Sequence, residues 1–212
     1  MRVALIGATG LIGRNLWPLL EERRDLLGVG RRPSGARREK IGPLERWPEL
    51  LAGERIDTAI CAVGTTRKKA GNWEAFARVD QFAQTNFARG AKAAGARQFI
   101  TVSSSGADAR SSNRYLRLKG EIEEELADVG FGRLDVARPG LLLGERPGDS
   151  RPLERVGILL SPVVRPLLRG SLDRYAGIGA DVVARAIAAL VGRRGEGRFV
   201  HQNRGLRQLA EA

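Results

Sequence analysis

The feature that most constrains the fold is a glycine-rich segment close to the start of the chain. Residues 2–6 form a short apolar run, and Gly7, Gly10 and Gly13 follow in a G-x-x-G-x-x-G pattern. A strand, a tight glycine turn and a helix would bring free backbone N–H groups to the helix N-terminus, where a pyrophosphate binds well. The pattern therefore predicts a dinucleotide-binding β–α unit; a plain strand–turn–helix is the alternative.

Apolar runs alternate with helical periodicities along the rest of the chain. The runs predict strands at residues 2–6, 26–30, 57–63, 98–103, 133–137 and 197–202. The periodic segments predict helices at residues 11–20, 75–95, 115–129 and 181–191, followed by a terminal helix. Strands that alternate with helices indicate an α/β fold: a Rossmann-like, doubly wound parallel sheet with a small C-terminal substrate-side portion. We expect one domain spanning residues 1–212, with a loop and a short helix at 34–51 and irregular chain at 144–175.

Composition narrows the classes of function. No apolar run reaches the roughly 18 residues of a membrane span, and the N-terminus lacks the pattern of a signal peptide. We therefore expect a cytoplasmic protein with no membrane partner. Cys61 and His201 are the only residues of their types, so an internal disulfide is excluded and a zinc site is not expected.

The chain is strongly basic, with a formal net charge of +12. Only five of its 36 basic residues are lysines, and the arginines are spread along the chain instead of forming one tract. This distribution favours a phosphate-rich ligand over a nucleic-acid surface. Two further predictions concern polar helix residues. Asp80 and Asn86 should fix backbone or neighbouring loops and take no part in the reaction. A glutamate-rich helix face should be solvated (Glu121, Glu123, Glu124 and Glu125).

The end of the second predicted strand indicates which dinucleotide binds. Proteins that bind NAD place an acidic residue there to hold the ribose 2′-hydroxyl. Here the strand ends Val29-Gly30-Arg31-Arg32, with no acid. Two guanidinium groups suit a 2′-phosphate, since each donates forked, charge-assisted hydrogen bonds. The sequence therefore predicts NADP(H) as cofactor, the alternative being that Arg31 and Arg32 are solvated surface residues.

A serine cluster and a Y-x-x-x-K pair supply catalytic candidates. Ser103, Ser104 and Ser105 follow the fourth predicted strand, and Tyr115 and Lys119 open the next helix. Residues four apart share a helix face, so a lysine ammonium would favour the phenolate form of the tyrosine and allow proton exchange. A serine hydroxyl can bond the substrate oxygen, and the hydride belongs to the nicotinamide. We predict Ser104, Tyr115 and Lys119 as catalytic; the choice of serine depends on strand register, and a solvated Tyr–Lys pair is the alternative.

Several of these segments resemble a known superfamily. GATGLIG, SSSGAD and YLRLK resemble the short-chain dehydrogenases/reductases. CAVGTTRKKAG, SSSGADARSSNRYLRLKGEIE and RPGLLLGER are similar to its atypical branch that contains the Tat-interacting protein 30 and bacterial relatives. The resemblance implies an NADP(H)-dependent oxidoreductase that transfers hydride between NADPH and a small carbonyl or alcohol. A non-enzymatic NADP(H)-sensing regulator is the alternative; the substrate stays unidentified, and the protein is expected to be a monomer or a homodimer.

The same resemblance assigns cofactor contacts to particular positions. Gly7, Thr9, Gly10 and Ile12 would line the pyrophosphate, beside the motif glycine Gly13. Arg31 and Arg32 would hold the 2′-phosphate, and Val63 and Gly64 would run beside the adenosine. At the other end, Tyr115 would accept the proton and Lys119 would hold the nicotinamide ribose, with Leu142 and Arg151 nearby.

Overall fold

In a computed structural model of the chain, residues 1–63, 72–144 and 170–212 are described, and they build a parallel β-sheet with helices on both faces. The strands are β1 (Arg2–Ile6), β2 (Asp25–Gly30), β3 (Glu39–Ile41), β4 (Thr58–Cys61), β5 (Gln98–Val102), β6 (Arg133–Arg138), β7 (Leu141–Leu143), β8 (Gly177–Gly179) and β9 (Gly197–Gln202). Within the described ranges, seven parallel strands form the main sheet in the order β3-β2-β1-β4-β5-β6-β9. A small second sheet pairs β7 with β8.

The helices divide between the two faces of the main sheet. They are α1 (Gly13–Glu21), α2 (Trp47–Leu51), α3 (Trp73–Ala77), α4 (Ala83–Ala93), α5 (Arg114–Asp128), α6 (Ala180–Leu190) and α7 (Asn203–Glu211). Helices α1, α6 and α7 pack on one face through residues such as Leu16 and Ile187. Helices α2 to α5 cover the other face through residues such as Phe87 and Ile122. The expected Rossmann-like, doubly wound α/β fold is therefore confirmed.

The structure differs from the sequence prediction in short elements. Strands β3, β7 and β8 were not predicted, since each has only three residues and carries little periodicity. The helix predicted at 75–95 is divided into α3, a π-helical turn at Arg78–Phe82 and α4. A π turn inserts one residue into a helix and often occurs at functional sites. In this protein the π turn contains Asp80, whose side chain belongs to the candidate site.

A buried carboxylate fastens the edge strand β9 to the sheet. Asp135 of β6 is fully buried and accepts two hydrogen bonds from Arg133, at 2.7 and 2.8 Å. It also accepts a hydrogen bond of 2.8 Å from Gln98 Nε2 of β5, and its Oδ1 lies 2.9 Å from His201 Nε2 of β9. Burial would raise the pKa of Asp135, but the hydrogen bonds from His201, Arg133 and Gln98 lower it below its usual value. The single histidine therefore connects β9 to the core.

Candidate functional site

A cavity of about 650 Å³ opens at the carboxyl ends of β1, β2 and β4. Ligands of doubly wound sheets bind in the crevice outside the carboxyl ends of the strands, where the strand order reverses. In this sheet that point lies between β1 and β4. The cavity is lined by Gly7, Ala8, Thr9, Gly10, Gly28, Val29, Gly30, Arg31, Arg32, Ser34, Glu39, Ile41, Leu44, Trp47, Ala62, Val63 and Ala75.

Two glycines of the motif shape the floor of this cavity. Gly7 has φ +87°, and a Cβ added there would lie 2.5 Å from the carbonyl carbon of Ala62. A Cβ on Gly13 would lie 2.0 Å from the Gly7 carbonyl oxygen. These positions exclude a side chain and let β1, the segment after β4 and α1 approach each other closely. No side chain caps α1, but the amides of Arg14 and Asn15 already donate to Gly10 O and Ile12 O. A pyrophosphate at this helix N-terminus would therefore bind the amides that precede them.

The far end of the cavity carries both positive and negative side chains. Arg31 and Arg32 line it and are exposed, and Ser34 follows them on the same loop. Glu39 of β3 also lines this end. The end of β2 carries no acid; Glu39 belongs instead to the neighbouring strand β3, where it is in register with Gly28, and no local pattern in the sequence marks this short strand.

The Tyr–Lys pair lies on the first turns of α5. Asn113 caps this helix by accepting hydrogen bonds from the amides of Tyr115 (3.0 Å) and Leu116 (3.2 Å). The Tyr115 side chain is partly exposed, and its ring centroid lies 5.9 Å from that of Phe76. Lys119 Nζ lies 6.0 Å from the Tyr115 ring centroid. The predicted helix and the shared face of the two side chains are thus present in the structure.

The Lys119 ammonium is held by a buried carboxylate from the π turn. Its Nζ lies 2.6 Å from Asp80 Oδ2, and the two side chains are only 5% and 1% exposed. Burial alone would lower the pKa of Lys119, but the negative charge of Asp80, with contributions from Tyr115 and Cys61, raises it above the usual value. Lys119 therefore stays charged. Asp80 thus pairs with a side chain of the candidate site, and Asn86 bonds the backbone as expected, donating to Leu44 O at 2.8 Å.

The three serines differ in what their hydroxyl groups contact. Ser103 Oγ donates to Glu123 Oε1 at 2.5 Å, and Ser105 Oγ donates to Gln202 Oε1 at 3.5 Å. Both serines are buried, whereas Ser104 between them is half-buried. The Ser103 hydroxyl therefore forms a structural hydrogen bond to Glu123 at the end of β5.

Glu123 corrects one sequence expectation. It was expected on a solvated helix face, but it is 1% exposed and lies at the centre of a buried ion cluster. Arg138 donates to both of its oxygens, at 2.9 and 2.6 Å, and Arg198 donates to Oε2 at 2.5 Å. Together with Ser103, these arginines join α5 to β5, β6 and β9. The neighbouring Glu124 is exposed, as expected.

The predicted cofactor residues fall into three groups. The first lines the main cavity: Gly7, Thr9, Gly10, Arg31, Arg32 and Val63. The second is described but does not line it: Ile12, Gly13, Tyr115, Lys119 and Leu142. Gly64 and Arg151 lie outside the described residues. Ile12 is buried in the core, and Leu142 packs against the same core from β7.

A second cavity, of about 390 Å³, lies where β7 meets the glycine loop. It is lined by Leu11, Arg14, Asn15, Leu143, Gly144, Ala180 and Asp181. A Cβ on Gly144 would lie 3.0 Å from Leu11 Cδ1. The small β7–β8 sheet therefore lies beside the start of α1.

Other reactive groups give no sign of separate chemistry. Cys61 ends β4 and is fully buried, and burial raises the pKa of its thiol to about 12, so it is not an activated nucleophile. Among the described residues, no group of three His, Cys, Asp or Glu side chains could hold a metal ion. None of the described helices is long and apolar enough to span a membrane.

Curated fungal proteins match most of the chain. Protein fmp52 of Aspergillus niger is 35% identical over 198 residues, covering 87% of this chain and 84% of its own length. Protein fmp52 of Aspergillus fumigatus is 36% identical with the same coverage. FMP52-1 of Scheffersomyces stipitis is 34% identical and covers 89% of this chain and 88% of its own. All three are named as mitochondrial proteins, which contradicts the cytoplasmic location expected from the sequence.

Solved structures share the fold at low sequence identity. MoeE5 in complex with UDP-glucuronic acid and NAD superposes with a TM-score of 0.69 at 21% identity, covering 95% of this chain and 75% of its own. UDP-glucose 4-epimerase from Thermotoga maritima gives a TM-score of 0.71 at 16% identity, covering 100% of this chain and 81% of its own. These likenesses establish the architecture alone.

A family model adds a sequence-based assignment. It matches residues 3–117, which include the glycine loop, the end of β2, the π turn and Tyr115. The Fmp52 relatives extend the similarity over most of the remaining chain. The family model and the cavity at the carboxyl edge of the sheet both concern the dinucleotide-binding half. The chain belongs to the NAD-dependent epimerase/dehydratase family.

Proposed function

We propose that the protein is an NADP(H)-binding oxidoreductase of the short-chain dehydrogenase/reductase type. The observation that carries the proposal is the cavity itself, which has a glycine cradle at its floor and Arg31 and Arg32 at its far end. The family description and the NAD complexes of the structural neighbours support a nicotinamide dinucleotide. Within the family, the segments quoted above favour kinship with the Tat-interacting protein 30 branch.

Each part of the cofactor has a matching part of the site. The amides of the glycine loop between Gly7 and the start of α1 at Gly13 would bind the pyrophosphate. Arg31 and Arg32 would bind the 2′-phosphate with charge-assisted hydrogen bonds. Lys119 lies near the end of β4, close enough for its ammonium to oppose the burial that raises the pKa of the Cys61 thiol. We propose that the region around Lys119 receives the nicotinamide ribose.

The proposed reaction reduces a small carbonyl compound, or oxidises the corresponding alcohol. A bound NADPH supplies the hydride. The Tyr115 hydroxyl gives its proton to the carbonyl oxygen as the alcohol forms, and the Ser104 hydroxyl donates a hydrogen bond to the same oxygen. The Lys119 ammonium, fixed by Asp80, provides a positive charge beside the phenol. The half-buried Ser104 supports this choice, because the Ser103 hydroxyl is already bonded to Glu123.

The cofactor proposal predicts an effect of the arginines on NADPH alone. Arg31→Ala and Arg32→Ala should each weaken NADPH binding about tenfold or more, the effect of losing a charge-assisted hydrogen bond. NADH affinity should change less than about twofold, since it lacks the 2′-phosphate. Isothermal titration calorimetry with both cofactors measures the effect. Arg204→Ala, an exposed arginine on α7, is the matched control; an unchanged NADPH-to-NADH ratio in both cavity variants would remove the basis for choosing NADP(H).

The catalytic proposal predicts that Tyr115→Phe separates binding from turnover. Removing the phenolic proton should lower NADPH-dependent reduction of a responsive carbonyl by about 10²- to 10⁴-fold while NADPH affinity is retained. The measurement is NADPH oxidation against a panel of carbonyl compounds. Full turnover in Tyr115→Phe would show that Tyr115 does not handle the proton. Cofactor binding without turnover of any panel member in the wild type would favour a sensing role instead.

A further inference from the structure

Glu39 places a carboxylate in the wall of the proposed cofactor cavity. Its Oε1 accepts hydrogen bonds from the amides of Ser34 (2.7 Å) and Ala36 (3.2 Å) and from the Ser34 hydroxyl. These groups belong to the loop that begins with Arg31 and Arg32. Consecutive amides that converge on one point form an anion-binding concavity. The loop therefore holds a fixed negative charge of the protein's own at the end of the cavity that the two arginines line.

The two basic residues next to Glu39 in the sequence do not pair with it. Side chains alternate along a strand, so Glu39 and Ile41 face the cavity while Lys40 faces the other way. Lys40 Nζ lies 2.9 Å from Glu54, and Arg38 also pairs with Glu54, at 2.7 Å. Arg38 and Lys40 therefore form their ion pairs with Glu54 and leave the charge of Glu39 in place.

The hydrogen bonds keep Glu39 ionised. Its partial burial opposes the charge, but the Ser34 hydroxyl and the amides of Ser34, Ala36 and Gly35 lower the pKa of Glu39 below its usual value. At neutral pH the far end of the cavity therefore combines two exposed guanidinium groups with one fixed carboxylate.

We propose that Glu39 is a specificity-determining residue that limits the preference of this site for a 2′-phosphate. This rests on the proposed function, because it assumes that the adenosine ribose binds at this end of the cavity. A 2′-phosphate is attracted by Arg31 and Arg32 but repelled by Glu39. A 2′-hydroxyl can donate a hydrogen bond to the carboxylate, whose bonds to the loop all fall on Oε1. Glu39 thereby allows NADH to bind alongside NADPH, with NADPH favoured only moderately.

The test removes the negative charge of the Glu39 side chain while keeping its size. Glu39→Gln retains an oxygen that can accept from the loop amides, and Glu39→Met removes both charge and acceptor at similar length. Glu49→Gln is the matched control: it makes the same change in net charge at an exposed position outside the cavity. Calorimetry measures binding of NADPH and NADH, and of their adenosine halves, adenosine 2′,5′-bisphosphate and 5′-AMP.

Glu39→Gln should bind NADPH and adenosine 2′,5′-bisphosphate about three- to tenfold more tightly than the wild type, as expected for removing one nearby like charge. NADH and 5′-AMP should bind unchanged or more weakly, and Glu49→Gln should match the wild type. If Glu39→Gln is poorly folded, Glu39→Met must show the same shift in the NADPH-to-NADH ratio. An unchanged or smaller ratio in the folded variants would overturn the role of Glu39. Failure of the wild type to bind either dinucleotide would overturn the proposed function itself.

Discussion

Glu123→Ala should destabilise the protein by about 3–5 kcal/mol, the usual effect of removing one partner from a buried ion cluster. The substitution leaves the guanidinium groups of Arg138 and Arg198 facing each other and the Ser103 hydroxyl without its acceptor. The Arg198 side chain is 36% exposed and can be partly hydrated, so the lower end of the range is expected. Urea unfolding with a constant m-value measures the change.

Glu124→Ala is the matched control for this prediction. Glu124 is the next residue on the same helix and is exposed, so its replacement should change the free energy of unfolding by less than about 0.5 kcal/mol. If the two variants unfold at the same urea concentration, the ion cluster does not stabilise the contact between α5 and the sheet.

Two glycine-to-alanine substitutions in helices should change the free energy of unfolding in opposite directions. Gly120 lies in α5, where a Cβ would be 2.1 Å from the Ala109 amide nitrogen and 2.3 Å from the Asp108 carbonyl carbon. Backbone cannot move away as a flexible side chain can, so Gly120→Ala should destabilise by about 3 kcal/mol. Gly205 lies in α7 with nothing within 4 Å of its Cβ position. Gly205→Ala should stabilise by about 0.5 kcal/mol, because alanine restricts the unfolded chain and favours helix.

Thermal and urea unfolding of both variants would measure this difference in sign. The close contact at Gly120 also brings α5, with Tyr115, against the loop that follows the serine cluster. Gly120→Ala should therefore weaken turnover as well as stability. A Gly120→Ala protein that is as stable as Gly205→Ala would show that α5 does not pack this closely against residues 108–109.

The sequence predicted the parts of the fold that local patterns determine. The glycine spacing and the apolar runs of β1, β4 and β5 mark a buried parallel sheet, because each pattern lies within a few residues. The three-residue strands were not predicted because their stability comes from pairing with distant chain, as in the parallel pairing of Leu141 with Gly177. The π turn was not predicted either, since one inserted residue barely changes the helical periodicity.

The site shows the same division between local and distant information. The strand–glycine turn–helix unit and the Tyr–Lys pair on one helix face are local features, and the structure has both; the cofactor and catalytic roles assigned to them stay predictions. The Asp80 partner of Lys119 and the Glu123 cluster are assembled from segments that are far apart in sequence. Glu39 is close in sequence to Arg31 and Arg32, but it reaches the cavity from β3, a three-residue strand that was not predicted. The exposed Glu124 and the buried Glu123 cannot be told apart from the residues next to them in the sequence. Their burial can be read only from the assembled sheet.

The fastening of β9 by Asp135 has a consequence for the order of folding. The nearest partners of this carboxylate, Arg133 and Gln98, emerge from the ribosome before or with it, but His201 follows 66 residues later. Parallel strands so far apart pair slowly, since a long loop must first close. A nascent chain that has reached α5 and β6 thus leaves an open sheet edge until the segment at Gly197–Gln202 is synthesised. During translation that unpaired edge of β6 exposes backbone N–H and C=O groups, which favours aggregation until β9 is in place.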